Sequence, residues 1–127
     1  MSILIPVSIG ELWDKYSILS IKKEKVKDET KINYIQLEIE MLQTYMTEYN
    51  CLENPLYIDL KKTNETLWDV EDDLRIKESL KEFDSEFIEL ARSVYYTNDK
   101  RAEIKRKINE TYHSDLHEVK EYINYQA

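Results

Sequence analysis

An all-α helical bundle is the fold class that this sequence predicts, on three observations. The chain of 127 residues carries one Gly and two Pro, whereas sheets joined by tight turns need many residues that tolerate positive φ. Apolar residues recur at three- and four-residue spacing over long windows. The gaps between those windows hold Ser, Asp and Asn-Pro, the residues that start helices. The expected architecture is four main helices, one or two short C-terminal helices and a short extended N-terminal arm, all in one domain spanning residues 1–127.

Residues 2–7, SILIPV, are rich in β-branched side chains and include Pro6. They predict an extended arm that packs, either on this chain or across a second subunit. Ser8 and Glu11 form a capping box. The helix they start turns Ile9, Leu12, Trp13, Tyr16 and Leu19 to one side, widened by Ile18 and Ile21, and fades into a charged run near Asp28. The second helix has an unbroken stripe of Ile32, Ile35, Ile39, Leu42, Met46 and Tyr49, and a displaced second stripe of Tyr34, Leu37, Met41 and Tyr45. Two stripes mean partners on two sides, within the bundle or across a dimer. The first two helices form a hairpin with Lys27–Thr30 at its tip.

After a break over Tyr49–Asn54, Asn54 is expected as N-cap and Pro55 as the first residue of a third helix. Leu56, Leu60, Thr63, Leu67, Val70 and Leu74 carry its stripe to about Leu80. Phe83–Ser85 interrupts, with Asp84 or Ser85 capping a short helix that buries Phe87, Ile88, Ala91, Val94 and Tyr95. A second interruption is predicted at Thr97–Asp99, followed by a basic helix on Ala102, Ile104 and Ile108 that stops around Tyr112–Ser114. Leu116, Val119 and Ile123 predict a last short helix.

Net charge is −8 at pH 7 with a pI near 4.8, which argues against binding nucleic acid or an anionic membrane surface. No window approaches 18 apolar residues, so no membrane span is expected. The apolar N-terminal run lacks the basic flank and cleavage pattern of a signal peptide. The single Cys51 cannot form an internal disulfide and reads as a structural thiol, so a reducing, cytoplasmic setting is the expectation.

Between Asp59 and Glu89 there are eleven acids against five bases. Glu65, Asp69 and Asp72 share a helical face, and Glu86 and Glu89 form an E-x-x-E pair, as in the magnesium sites of all-α nucleotide pyrophosphohydrolases. That reading competes with a solvated acidic face. Glu71 lies one turn from both Leu67 and Leu74, so partial burial and a partner are expected, and Arg92 holds the matching position on the next helix. A Glu71–Arg92 contact is therefore predicted, as an ion pair or as the floor of a pocket.

From Arg92 to Lys107 there are six bases against two acids. Arg101 and Lys105 are one turn apart, just after the predicted helix start at Thr97 and Asn98, an arrangement suited to a phosphate or carboxylate. The competing reading is that this face neutralises the acidic helix. His113 and His117 have the i, i+4 spacing of zinc-binding pairs, but Ser114-Asp115 reads as a break between them, so no metal ligands are assigned.

Three blocks carry a family resemblance: SIGELWDKYSIL near the start, LWDVEDDLR in the middle and LARSVYYTNDKRAEIKRKIN later. They resemble an uncharacterised bacterial and phage domain-of-unknown-function family over nearly the whole chain, less well after Asn109. The resemblance implies no activity. It marks Glu11, Asp14, Lys15, Glu71, Asp72, Arg75, Arg92, Tyr95, Asn98, Asp99 and Arg101 as motif positions. The leading functional expectation is a binding or assembly module, a homodimer, with a polar pocket between the 68–78 and 92–105 helices. Glu71, Arg75, Arg92, Tyr95, Asn98, Arg101 and Lys105 would line that pocket, and its ligand would be a small anion. A metal-dependent nucleotide hydrolase and a purely structural oligomerisation domain are the alternatives. No motif names a cofactor or decides whether the chain is an enzyme.

Overall fold

The computed structural model describes residues 1–48 and 51–126. Four α-helices follow one another: α1 over Ile9–Lys25, α2 over Glu29–Glu48, α3 over Pro55–Ser79 and α4 over Ser85–Thr111, with a 3-10 turn at Cys51–Glu53 before α3. No strand occurs among the described residues. The expected caps form. The Ser8 Oγ accepts from the Glu11 amide, Asn54 accepts from Leu56 with Pro55 as first helical residue, and Asp84 accepts from Phe87. The α1–α2 hairpin forms with its turn at Val26–Asp28, slightly earlier than the expected tip at Lys27–Thr30, because Glu29 already begins α2. Tyr49, expected in the main stripe of α2, lies outside the described residues, as does the start of the break after it.

The core gathers where all four helices meet. Trp13, Tyr16 and Leu19 of α1 pack with Ile35, Ile39 and Met46 of α2, Tyr57 and Leu60 of α3, and Ile104 and Ile108 of α4, with Cys51 buried among them. Trp13 is fully buried, tilted against Tyr112 at 5.2 Å and edge-on to Tyr57 at 6.4 Å. Burial drives the Tyr57 phenol up to about 12. Of the two stripes on α2, only the first is covered. Tyr34, Leu37, Met41 and Tyr45 are all about half exposed or more, Tyr34 reaching 73%.

Two boundaries differ from the sequence reading. Helix α4 runs unbroken through Thr97–Asp99. Local hydrogen-bonding competition from Thr, Asn and Asp is only a weak preference, and the long contact with α3 overrides it. The last predicted helix does not form: the described residues after Tyr112 contain no helix, and Val119 and Ile123 stand 87% and 88% exposed. A short amphipathic stretch with nothing to cover its apolar face does not meet the cost of helix nucleation.

Both long helices end on a residue in the left-handed region, Lys81 and His113, each at φ 55°. After α3, Glu82 donates to the Lys77 carbonyl and Lys81 to Glu78; after α4, Ser114 donates to the Asn109 carbonyl and His113 to Glu110. These are Schellman endings built without glycine. His113 therefore terminates α4, which separates it from His117 and removes the i, i+4 geometry.

The N-terminal arm has no regular secondary structure and does not pack on its own chain: Ile3, Leu4 and Ile5 are 70–85% exposed. No residue from 68 to 103 is buried. At 1.5 Å rise per residue α3 and α4 are roughly 40 Å long and α1 about 25 Å, so the distal half of the α3–α4 hairpin extends past the core. Its turn is tied by Lys77, whose ammonium lies 2.9 Å from Asp84, 3.2 Å from Glu86 and 3.3 Å from Glu82.

Candidate functional site

The site is built on a carboxylate that the core should not tolerate alone. Asp14 points from α1 into the junction with α3 and α4 and is 1% exposed. A buried carboxylate needs several partners, and each neighbouring helix supplies one or more. From α4, the Arg101 guanidinium grips it bidentately, Nε donating to Oδ1 at 2.9 Å and Nη2 to Oδ2. From α3, Asn64 Nδ2 donates to Oδ1 at 2.9 Å and to the Ser17 Oγ at 2.8 Å. The Ser17 hydroxyl donates back to the Asp14 carbonyl at 2.7 Å. Lys105, 6% exposed, brings its ammonium to 3.7 Å from Oδ2.

The electrostatics follow from these contacts. Burial alone pushes the Asp14 carboxyl up, but hydrogen bonds from Arg101 and Asn64 and the charges of Arg101 and Lys105 outweigh it, so its pKa lies below the ordinary 3.8. The Asp14 carboxylate in turn raises Arg101. Burial pulls Lys105 down, and the carboxylates of Glu11 and Glu118 more than restore it.

The amino end of α1 is fixed by the same neighbourhood. Its first amides are free of intrahelical partners, and Ile9 donates to the Ser114 Oγ at 3.1 Å while Gly10 donates to the Asn109 Oδ1 at 2.7 Å. Gly10 lies so close to α4 that a Cβ there would meet the Lys105 carbonyl at 2.8 Å. The Glu11 carboxylate, expected to complete a capping box, instead accepts from Lys105 Nζ at 2.9 Å.

On its outer side this network opens into a cleft of about 310 Å³ lined by Asn98, Asp99, Arg101, Ala102 and Lys105 of α4 and by Glu118, Lys120 and Tyr122 of the C-terminal tail. Arg101 Nη1 faces the Asn98 Oδ1 at 3.5 Å. Lys105 Nζ reaches across to the Glu118 carboxylate at 3.0 Å, and Lys120 reaches the same carboxylate at 2.9 Å. These two ammonium groups, Lys120 first, hold the Glu118 carboxyl down to about 2. A second, more apolar cleft adjoins it, lined by Tyr95, Asp99, Tyr122, Ile123 and Tyr125. There Tyr125 stands edge-on to Tyr95 and Tyr96, at 4.7 and 5.0 Å, and donates to the Asp99 carboxylate.

The structure therefore brings together Asn98, Arg101 and Lys105 of the residues expected from sequence, with Tyr95 in the adjoining cleft. It does not bring in the others. Glu71 lies 3.7 Å from Arg75, its own i+4 neighbour, and Arg92 lies 3.2 Å from Glu89; all four are on exposed surface. The predicted Glu71–Arg92 floor is corrected to two local pairs, because in the distal hairpin nothing covers either side chain. The helix start that was to supply free amides at Thr97 is also absent, since α4 is continuous there.

The carboxylates of the hydrolase alternative do not converge either. Glu65 pairs with Lys61, Asp69 approaches Lys25, Glu86 meets Lys77 and Glu89 meets Arg92. Among the described residues no three His, Cys, Asp or Glu side chains are grouped to hold a metal ion.

Sequence reasoning undervalued Asp14, Glu11, Ser17, Asn64 and Glu118. A signal for three of them was present. Gly10, Asp14, Ser17 and Ile21 share one side of α1, and Asn64 sits between Leu60 and Leu67 on the buried face of α3. Polar residues at apolar-period positions announce a buried network. Glu118 gave no such signal, because the tail has no periodicity.

Fold and site together define an all-α protein whose first, third and fourth helices are locked around one buried carboxylate, with a charged, polar cleft beside the lock. The chain belongs to DUF6165, a family of unknown function that matches residues 3–126, the tail included. No curated protein and no solved structure matches the chain. No helix among the described residues is long and apolar enough to cross a membrane.

Proposed function

We propose that this single-domain protein is a cytoplasmic binding and assembly module that holds a small anionic group, a phosphate or a carboxylate, in the cleft between α4 and the C-terminal tail. The observation that carries this reading is the position of Lys105. Its ammonium is almost fully buried, is anchored from behind by Glu11 and Asp14, and presents its remaining side to a carboxylate in the cleft. Asn98 and the outer edge of Arg101 form the rim, and Lys120 adds a third cation. Charge-assisted bonds of this kind recognise phosphate or carboxylate without a metal.

Titration of isotopically labelled protein with inorganic phosphate, and separately with the amide of N-acetylglutamate, is expected to shift the amides of Asn98, Arg101 and Ala102. Asn98→Ala, on the rim and joined to the Asp14 network only by the long 3.5 Å contact with Arg101 Nη1, should weaken binding several-fold. Amides that stay unmoved up to about 10 mM of both probes, weaker than about −3 kcal/mol, in the wild type and also in Glu118→Gln, which removes the carboxylate already facing Lys105, would sink the reading.

Self-association is favoured by a separate observation, the uncovered stripe on α2. Tyr34, Leu37, Met41 and Tyr45 read nearly the same in both directions. Antiparallel pairing with a second copy sets Tyr34 against Tyr45 and Leu37 against Met41, with Lys31 level with Glu48. A two-fold interface must be self-complementary in this way. Leu37→Glu is expected to shift a dimer to monomer in light scattering at concentrations where the wild type is dimeric. Lys31→Glu should weaken the dimer, and Lys31→Glu with Glu48→Lys should restore it. A wild type that is monomeric at high concentration refutes the interface.

A further inference from the structure

The C-terminal tail occupies the cleft that the proposed ligand needs, and it does so with the ligand's own chemistry. Glu118 puts a carboxylate 3.0 Å from Lys105 and 2.9 Å from Lys120. Seven residues on, Tyr125 stands its ring edge-on against both Tyr95 and Tyr96 and donates to the Asp99 carboxylate and, at 3.4 Å, to the Tyr95 carbonyl. The start of the tail is pinned where Ser114 Oγ accepts from the Ile9 amide and donates to the Leu116 carbonyl at 2.8 Å.

Between these anchors the chain forms no helix, and Leu116, Val119, Tyr122 and Ile123 remain exposed. A segment with fixed ends, few buried contacts and an exposed backbone opens at low cost relative to the core. Helix α4 beneath it is continuous and fixed by the Asp14 network, so the tail can leave, taking Lys120 with it, without disturbing Arg101 and Lys105.

We infer that residues 115–126 are an autoinhibitory strap, in which Glu118 is a built-in competitor for the anion cleft and Tyr125 is the latch that keeps it there. The inference rests on the anion-binding reading. A tethered carboxylate is present at high effective concentration, so an incoming phosphate or carboxylate meets a cleft that is competent only in the open fraction of molecules. Its apparent Kd is raised by the reciprocal of that fraction. Anything that captures the tail would release the site, and filling the site would expel the tail.

The test compares wild type, Glu118→Gln and Tyr125→Ala. The first removes the competing charge. The second changes no charge and lies outside the charged cleft, so it acts only by loosening the latch. Both are expected to lower the apparent Kd for inorganic phosphate and for the N-acetylglutamate amide, by about tenfold where the open fraction is about a tenth. Phosphate should also raise hydrogen exchange across residues 116–126 of the wild type.

Binding by the variants with none detectable in wild type supports the strap. Equal binding by all three proteins overturns it and leaves the anion site standing. A gain for Glu118→Gln without one for Tyr125→Ala also overturns it, since charge alone then accounts for the effect. No binding by any of the three removes the anion site, and the strap with it.

Discussion

Asp14→Ala is expected to destabilise the protein by roughly 3–5 kcal/mol, the cost of removing one partner of a buried ion pair. That corresponds to a fall in Tm of roughly 10–20 °C for a chain of this size. The substitution deletes the acceptor on which Arg101, Asn64 and Lys105 converge. It leaves a guanidinium and an ammonium facing each other across the gap. The loss of a short, well-solvated side chain from an exposed helix would cost a few tenths of a kcal/mol, so the size of the effect separates a lock from a surface residue. Urea or thermal unfolding followed by circular dichroism gives the number, and a variant that melts within a few degrees of wild type would show that the three helices do not depend on this carboxylate.

The same lock has a defined pH signature. The folded-state pKa of Asp14 lies below its ordinary 3.8. Its contribution to stability is therefore fully present above the unfolded value and is lost as pH falls through the depressed folded one. The stability gap between wild type and Asp14→Asn should be constant from neutral pH to about 5, then shrink on further acidification. Lys105 works in the opposite sense. Its pKa is raised above 10.5, so its contribution is complete below that value and disappears as pH rises through the folded one. The lock is an interaction of the neutral range, failing at both extremes.

Gly10→Ala is expected to destabilise by about 1–3 kcal/mol, the range for overpacking a well-filled contact. Helix propensity argues the other way, since Ala is better than Gly inside a helix by about 1 kcal/mol. Sterics decide the sign. The added Cβ would lie 2.8 Å from the Lys105 carbonyl, 3.0 Å from the Asn109 Oδ1 and 3.2 Å from the Lys105 Cα. Two of those three atoms are backbone, so the contact is relieved only by moving α1 away from α4. That movement stretches the Gly10–Asn109 hydrogen bond and the Lys105–Glu11 pair together. A rise in Tm on substitution would mean that propensity wins and the crossing is loose.

These two residues illustrate what could be seen in advance. The fold class, the caps at Ser8, Asn54 and Asp84, and the covered stripes of α1, α2 and α3 were legible because each depends on residues within about one helical turn of one another. Arg101 and Lys105 were legible as cations on one face of a helix, and Asn98 as their neighbour. Asp14 entered only as a motif position. Its burial depends on Asn64 and Arg101, 50 and 87 positions away. The errors run the same way. Thr97–Asp99 looks like a break when only its own propensities are weighed, and Glu71 looks buried when its helix is assumed to be covered along its whole length.

The amino-acid sequence by itself determined an all-α chain, its helix starts, the acidic balance, and the two apolar stripes on α2, because periodicity and capping are local. Tertiary structure decided the rest: that Asp14 is the centre of the lock, that Gly10 is where two helices cross closely, and that the tail lies over Lys105 as an irregular strap. Each of these turns on which surfaces meet, and a side chain becomes costly, paired or competing only when a distant segment removes its water.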